Sequence, residues 1–479
     1  MTRLVVGPFN RVEGDLEVTL EVKDGRIIEA WAGSPLYRGF EQILRGKHPM
    51  DALMFAPRIC GICSVSQSMA AAAALADAMG LAPAPNGRIT KNLAHAVENV
   101  ADHFTHFYLF FMPDFARAEY TGRVWHGRAV ERFRAVQGSA AGAILPARTA
   151  FLSAMATLAG KWPHSLAIQP GGVARALEAS EKIRLFALLR DFRRHVETVL
   201  FNDALEAVAA LDSDAALARW AADKPRGDFG AFLEIAEDLQ LDKLGRGVDR
   251  FMSYGNYPQE KSQFLRDGVW DGQLHALDAQ AIAEDISHAW LEGETRHPAQ
   301  GVTRPQDEKA AGYTWCKAPR LAGLPMETGA LARQVVNGHP LARDLVAGNG
   351  KSGGGNVKSR VVARLLEIAV LLPEMEKWVQ QLAPGEPFCT QAEMPLEAAG
   401  AGRVEAARGS LGHWITVEGG RIANYQIVSP TTWNFSPRDS GGTPGPLEQA
   451  LVGTPAGEGN VAVQHVVRSF DPCMVCTVH

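Results

Sequence analysis

The chain of 479 residues is expected to fold as an α+β protein, predominantly α, with a large helical-bundle core and N-terminal and C-terminal β-hairpins. Two patterns carry that expectation. Ser66 to Met79, Ile89 to Met112, Ala174 to Leu211 and Val361 to Leu382 place apolar residues at 3.6 spacing, the mark of helices with one face turned to a core. Leu16 to Trp31 and His413 to Val428 instead alternate apolar and polar residues around Lys23-Asp24-Gly25 and Glu418-Gly419-Gly420, which are turn sequences.

In chain order, 1–45 is expected to be the β-hairpin region and 46–211 a helical core that carries a first cysteine pair. Residues 212–319, richer in Gly, Pro and Asp, form a mixed excursion; 320–390 return to the helical core; 391–479 form a β region with the C-terminal cysteine pair. The Gly-rich stretch Gly348 to Gly355 has glycine spacing like that of a phosphate loop, but a helical pattern precedes it where a strand is needed, so it is expected to be a plain loop.

Composition excludes several function classes. Hydrophobic residues at 46% and charged residues at 21% describe a globular chain with a sizeable core. A net charge of −5 with no polybasic run gives nucleic acid no electrostatic footprint. Met1 to Asn10 has no apolar run before Pro8 that would read as a secretory leader, and the apolar runs are expected to break before membrane-spanning length. Six cysteines in such a chain point to thiols in a reducing, cytoplasmic compartment, where metal binding or catalysis is the usual use.

Cys60-Gly61-Ile62-Cys63 and Cys473-Met474-Val475-Cys476 are both C-x-x-C, a spacing that turns two thiolates toward one metal. By spacing alone a structural zinc or iron-sulfur site fits. The flanking residues, Arg58-Ile-Cys-Gly-Ile-Cys63 and Asp471-Pro-Cys-Met-Val-Cys-Thr-Val-His479, resemble the two signatures of nickel-iron hydrogenase large subunits. The resemblance runs through Asn10-Arg-Val-Glu-Gly14, Tyr37-Arg-Gly-Phe-Glu41, Asp102-His103, Lys317-Ala-Pro-Arg320, Ala407-Arg-Gly-Ser-Leu-Gly-His-Trp414 and Pro430-Thr-Thr-Trp-Asn434.

That resemblance implies the hydrogenase large-subunit fold and heterolytic cleavage of dihydrogen at nickel and an iron bearing carbon monoxide and cyanide. Cys60 and Cys473 would be terminal nickel ligands and Cys63 and Cys476 bridging ones. Glu13 matches the proton-transfer glutamate, and Arg408 the arginine over the metals, with Asp102 and Asp471 around it. Pro430, Thr431 and Leu411 match residues around the diatomic ligands. Glu41, the Ile427 carbonyl and His479 match a second site, usually magnesium. An iron-sulfur small subunit is implied as partner, because Cys316 and Cys389 are too few for a cubane cluster.

Three departures resemble the hydrogen-sensing, or regulatory, branch. Gln67 stands where most relatives have His, and Ile62 and Phe110 are bulkier than the usual residues of the gas path. The chain also ends at His479, without a clipped tail. Ala407 replaces a common proline. These imply a slow, oxygen-resistant sensor signalling to a histidine kinase. The alternatives are an energy-conserving uptake hydrogenase and, outside the family's chemistry, a structural zinc protein or a quinone-site scaffold.

Overall fold

In the computed structural model, which describes residues 2–223, 225, 227–348 and 353–479, both ends of the chain are drawn into one body. The N-terminal sheet has three strands, β1 (Thr2–Val6), β2 (Glu17–Lys23) and β3 (Arg26–Gly33), paired antiparallel in that order. Asp24 and Gly25 both take positive φ, which suits a tight hairpin turn. The hairpin was legible; β1 lies outside it, too short and too exposed to show alternation.

Helix α1 (Ser64–Met79) is buried along most of its length and stops where Gly80 turns left-handed. Helix α2 (Pro85–Thr105) begins with Pro85 at its first position, where the missing N–H costs nothing. It then widens into a π-helical stretch, His106–Phe111. Within it His106 stacks on Phe111, with ring centroids 5.8 Å apart.

Helix α3 (Ser139–Leu152) continues after a break at Ser153, so that Ser139–Ala159 is a helical stretch long and apolar enough by length and composition to cross a membrane, longer than the sequence was expected to provide, and most of its residues are not buried. Helix α4 (Ala179–His195) starts five residues later than the periodicity indicated, at a capping box made by Glu178 and Glu181. After a further π-helical stretch, Val196–Phe201, the helical run ends at left-handed Asn202.

The mixed stretch contains a second three-stranded sheet, β4 (Phe251–Pro258), β5 (Gln263–Trp270) and β6 (Leu274–His275). Every residue of β4 but the last is buried, so it shows none of the alternation that marks a half-exposed strand. Helix α5 (Ala330–Asn337) and the long α6 (Val357–Gln381) follow; Asn356 and Ser359 cap α6 reciprocally. Of the expected Gly348–Gly355 loop, residues 349–352 lie outside the described residues.

A third antiparallel sheet, β7 (Ala398–Ala406), β8 (Gly409–Glu418) and β9 (Arg421–Val428), adds a strand to the expected C-terminal hairpin. Short helices close the chain, among them α7 (Pro430–Asn434), α8 (Val461–Phe470) and α9 (Met474–Thr477).

Two contacts set the frame of the interior. Strand β7 lies directly on α1, and glycines make the approach possible: a Cβ at Gly402 would sit 2.0 Å from the Ala70 carbonyl and 2.4 Å from the Ala74 nitrogen. Deeper in, Arg333 of α5 donates to Glu367 of α6 at 2.7 Å, to Glu405 of β7 at 3.1 Å and to the carbonyls of Ala406 and Ala407. Glu367 also meets His103 of α2 at 3.0 Å. A buried arginine is tolerable only when its donors and its charge are met in this way.

Gly402→Ala is expected to destabilise the protein by roughly 1–3 kcal/mol, since the obstructing atoms are backbone and no rotamer change relieves them. Urea denaturation checks this, as a fall in midpoint without a change in slope.

Candidate metal centre

The four paired cysteines meet although more than 400 residues separate the pairs. Cys63 is the N-cap of α1 and Cys473 the N-cap of α9, so each pair straddles the start of a helix. The Sγ atoms of Cys60 and Cys473 are 3.5 Å apart, those of Cys63 and Cys476 3.2 Å, and those of Cys473 and Cys476 3.1 Å. All four are buried free thiols whose ligand atoms lie within 4.8 Å of one another. Cys316 and Cys389 do not join them.

The donor set fits a soft metal. Neighbouring Cys473 draws Cys60 down toward the thiolate, while the Cys473 and Cys476 sulfurs push Cys63 up and burial pushes Cys476 up. Four buried thiolates require a cation among them, and sulfur selects nickel, zinc or iron over hard ions.

Backbone pairing brings the ends together. Glu13 N donates to the Pro472 carbonyl at 3.3 Å, and Met474 N to the Glu13 carbonyl at 2.6 Å. Gly14, at φ 80°, permits this: a Cβ there would be 3.0 Å from the Val475 nitrogen. The Arg38 guanidinium adds a clamp, donating to the carbonyls of Ile59 and Val475, one beside each pair. The half-buried Glu13 side chain thus lies at the centre. Burial, then the Cys60 thiolate, raise its pKa.

Arg408, at the turn between β7 and β8, donates to Asp102 of α2 at 2.5 Å, and to the Asp471 side chain and carbonyl, each at 3.0 Å. Burial pushes Asp102 up to about 7. Burial also opposes the charge on Asp471, but Arg408 and His106 outweigh it and leave that acid low. His106 and Arg364 donate to the last carbonyls of α8, at 2.7 and 2.6 Å, and so brace the turn into Asp471 and Cys473.

Thr431, second residue of α7 after Pro430, accepts from Cys473 N at 3.1 Å. Leu411 is wholly buried in β8. Gln67, one turn after Cys63 on α1, is wholly buried; its Oε1 accepts from His413 Nε2 at 2.9 Å, and its Nε2 has no protein partner. Tyr425 bonds the other nitrogen of His413 at 2.8 Å. Ile62 and Phe110 are half-buried, and Arg11 donates to the Phe110 carbonyl at 3.1 Å.

At the C-terminus, His479 Nε2 meets Glu41 Oε1 at 3.1 Å and its Nδ1 meets the Cys476 carbonyl at 3.0 Å. The Ile427 N–H donates to Glu41 Oε1 at 2.9 Å, which places Ile427 beside Glu41 and His479. Burial would raise Glu41, yet Lys317 and His479 hold it at about 2. Lys317 also contacts Glu284 at 3.3 Å and Gln426 at 2.8 Å. Oxygen donors of this kind suit a hard cation, although the Lys317 ammonium already places positive charge among them.

Thr303 also donates to Glu41; in the sequence Lys317 and His413 stand out only as members of motif blocks, and Glu284, Thr303 and Gln426 carry no site signal. Lysine inside an otherwise apolar and proline-bounded segment was the available signal for Lys317. Glu284 and Gln426 sit on strands whose register alone brings them near.

Fold and site together define a protein with a buried tetrathiolate metal centre under an arginine. Residues 38–119 and 143–479 match the family described as nickel-dependent hydrogenase. The chain belongs to that family, whose members are oxidoreductases acting on dihydrogen, and it corresponds to the large subunit. It is 30% identical to the periplasmic [NiFeSe] hydrogenase large subunit of Desulfomicrobium baculatum, over all of this chain and 95% of that one. It is 26% identical to the uptake hydrogenase large subunit of Cupriavidus necator, over 100% and 95% of the two chains. The reduced, active Ni-Fe-Se hydrogenase structure from Desulfomicrobium baculatum superposes with a TM-score of 0.84 at 28% identity, covering 100% of both chains.

Two outcomes follow from the geometry. Arg408→Met strands Asp102 and Asp471 as buried acids and is expected to cost about 3–5 kcal/mol, measured by denaturant unfolding. His479→Ala unties the segment that carries Cys473 and Cys476, so nickel retained through gel filtration is expected to fall while the helical circular dichroism persists.

Proposed function

We propose that this large subunit oxidises dihydrogen as a hydrogen sensor with slow, oxygen-resistant turnover. The observation that carries the hydrogenase chemistry is the convergence of four buried sulfurs beneath Arg408. Nickel would be held by Cys60, Cys63, Cys473 and Cys476, and iron with carbon monoxide and cyanide by Cys63 and Cys476. When bound, the metals supply the acceptor for the hydride half of dihydrogen. The protein supplies the base: Cys473 Sγ takes the proton, and the Glu13 carboxyl, raised by burial and half-open to solvent, passes it outward.

Arg408, with its fixed fork of donors, orients the anionic ligand sphere, and Asp102 and Asp471 hold that fork. Pro430, Thr431 and Leu411 supply the surroundings of the diatomic ligands; Thr431 also fixes the Cys473 backbone. Magnesium would be held by Glu41, the Ile427 carbonyl and His479 and would tie down the C-terminus. Electrons leave to an iron-sulfur small subunit. The sparsely buried helical stretch Ser139–Ala159 supports a docking face there: its Arg148 reaches Thr105, three residues from Asp102.

Gln67 supports the sensor reading. It is locked to His413 and carries no charge, so it can hydrogen-bond near Cys63 but cannot deliver a proton. Ile62 and Phe110 would narrow the gas path against dioxygen. The signalling partner would be a histidine kinase in the cytoplasm, a compartment that the six free thiols fit. The second reading, an energy-conserving uptake hydrogenase, is favoured by the names of the relatives it resembles.

Metal analysis with infrared spectroscopy of the purified complex tests the chemistry. Nickel and iron with carbon monoxide and cyanide stretches are expected; zinc without such bands contradicts it. For the sensor, Gln67→His is expected to uncouple kinase signalling from dihydrogen binding and to raise turnover. Unchanged signalling in that variant contradicts the role given to Gln67, and no dihydrogen-dependent signalling from the unsubstituted complex favours the uptake reading.

A further inference from the structure

Cys63 occupies the N-cap of α1, the position whose side chain ordinarily accepts from the first free N–H groups of a helix, and its sulfur makes no such bond. It is turned instead to the other three cysteines. The exposed donors are met from elsewhere. Glu98, 2% exposed on α2, accepts from Val65 N and Ser66 N, each at 2.8 Å, from Ser66 Oγ at 2.9 Å and from Trp162 Nε1 at 3.0 Å.

All four groups facing the carboxyl are donors. Ser66 Oγ, having given its hydrogen to Glu98, accepts from His95 Nε2 at 3.0 Å. Burial pushes Glu98 up to about 7, and those same donors pull it down. Three of the four partners, the Val65 and Ser66 N–H groups and the Trp162 indole N–H, can only donate, so both carboxyl oxygens are called on as acceptors.

We propose that the Glu98 carboxylate is the surrogate N-cap of α1, a positioning residue that leaves the Cys63 sulfur free for the metals and sets the electron density on it. The N-terminus of a helix presents partial positive charge. Directed at Cys63 without compensation, that charge withdraws electron density from the sulfur. The carboxylate neutralises it one turn from the ligand. The inference rests on the nickel-iron assignment above, because a bridging thiolate is what would transmit its effect to the iron and the carbon monoxide.

The test is infrared spectroscopy, with nickel and iron analysis, on the holo complex and on two variants in the same dihydrogen-reduced state. Glu98→Gln keeps the shape but removes the charge and sets an NH2 group against a donor. The carbon monoxide stretch is expected to rise, and kcat to fall roughly ten-fold, with KM for dihydrogen unchanged and nickel retained. Trp162→Phe withdraws one donor, leaves the carboxylate less neutralised, and is expected to move the same band the opposite way.

Nickel-loaded Glu98→Gln with bands and kinetics like those of the unsubstituted protein overturns the inference. Should that variant fail to accumulate, Trp162→Phe decides: a displaced band supports the inference and an unmoved band overturns it. An unsubstituted complex without nickel or diatomic bands overturns the metal assignment itself, and this inference with it.

Discussion

The structure depends on a short backbone seam between the two ends of the chain. Residue 13 pairs with 472 and 474 through two hydrogen bonds, Gly14 lets the backbones approach, and Arg38 ties a carbonyl beside each cysteine pair. Neither C-x-x-C can surround a metal alone. The seam turns two bidentate fragments into one four-sulfur shell. A metal bound across the seam would in turn lock the chain ends, so that folding and loading reinforce each other.

Around that shell the protein manages an unusual load of buried charge. Asp102, Asp471 and Glu13 stand close to four sulfurs, and Arg408 is the cation that touches both aspartates. Behind it, Arg333 holds the carbonyls of Ala406 and Ala407, and its partner Glu367 reaches His103, next to Asp102. The arginine over the site and the acid that receives it are thus braced by one ion network spanning α2, α5, α6 and β7. Such networks are costly to bury and lose most when one member is removed. The rigidity they give suits a centre that must hold its geometry while its charge changes.

Much of this was legible in the sequence. Amphipathic spacing located the long helices, although α1, α2 and α6 are buried along most of their length, and turn residues located both hairpins. It failed where burial is two-sided: β4 carries buried residues throughout and shows no period. It failed again at Asn202 and at the π-helical stretch after Thr105, where backbone conformation rather than side-chain pattern ends the regular helix. The cysteines and Arg408 were marked by motif. The Ile427 N–H, the partners of Lys317 and the role of Glu98 depend on register and on long-range packing, which no local spacing encodes. Gln67 lay between these cases. Its departure from the family pattern was visible, but its hold on His413 appears only once β8 lies against α1.

The central claim is that four sulfurs from opposite ends of the chain share one nickel ion. X-ray absorption at the nickel edge tests it most directly, since the first shell reports the kind and number of ligands. The account predicts a shell dominated by four sulfur scatterers, reduced to three when Cys60 or Cys473 is replaced by Ala. A shell of nitrogen and oxygen, or a sulfur count unaffected by replacing either Cys60 or Cys473, would contradict it.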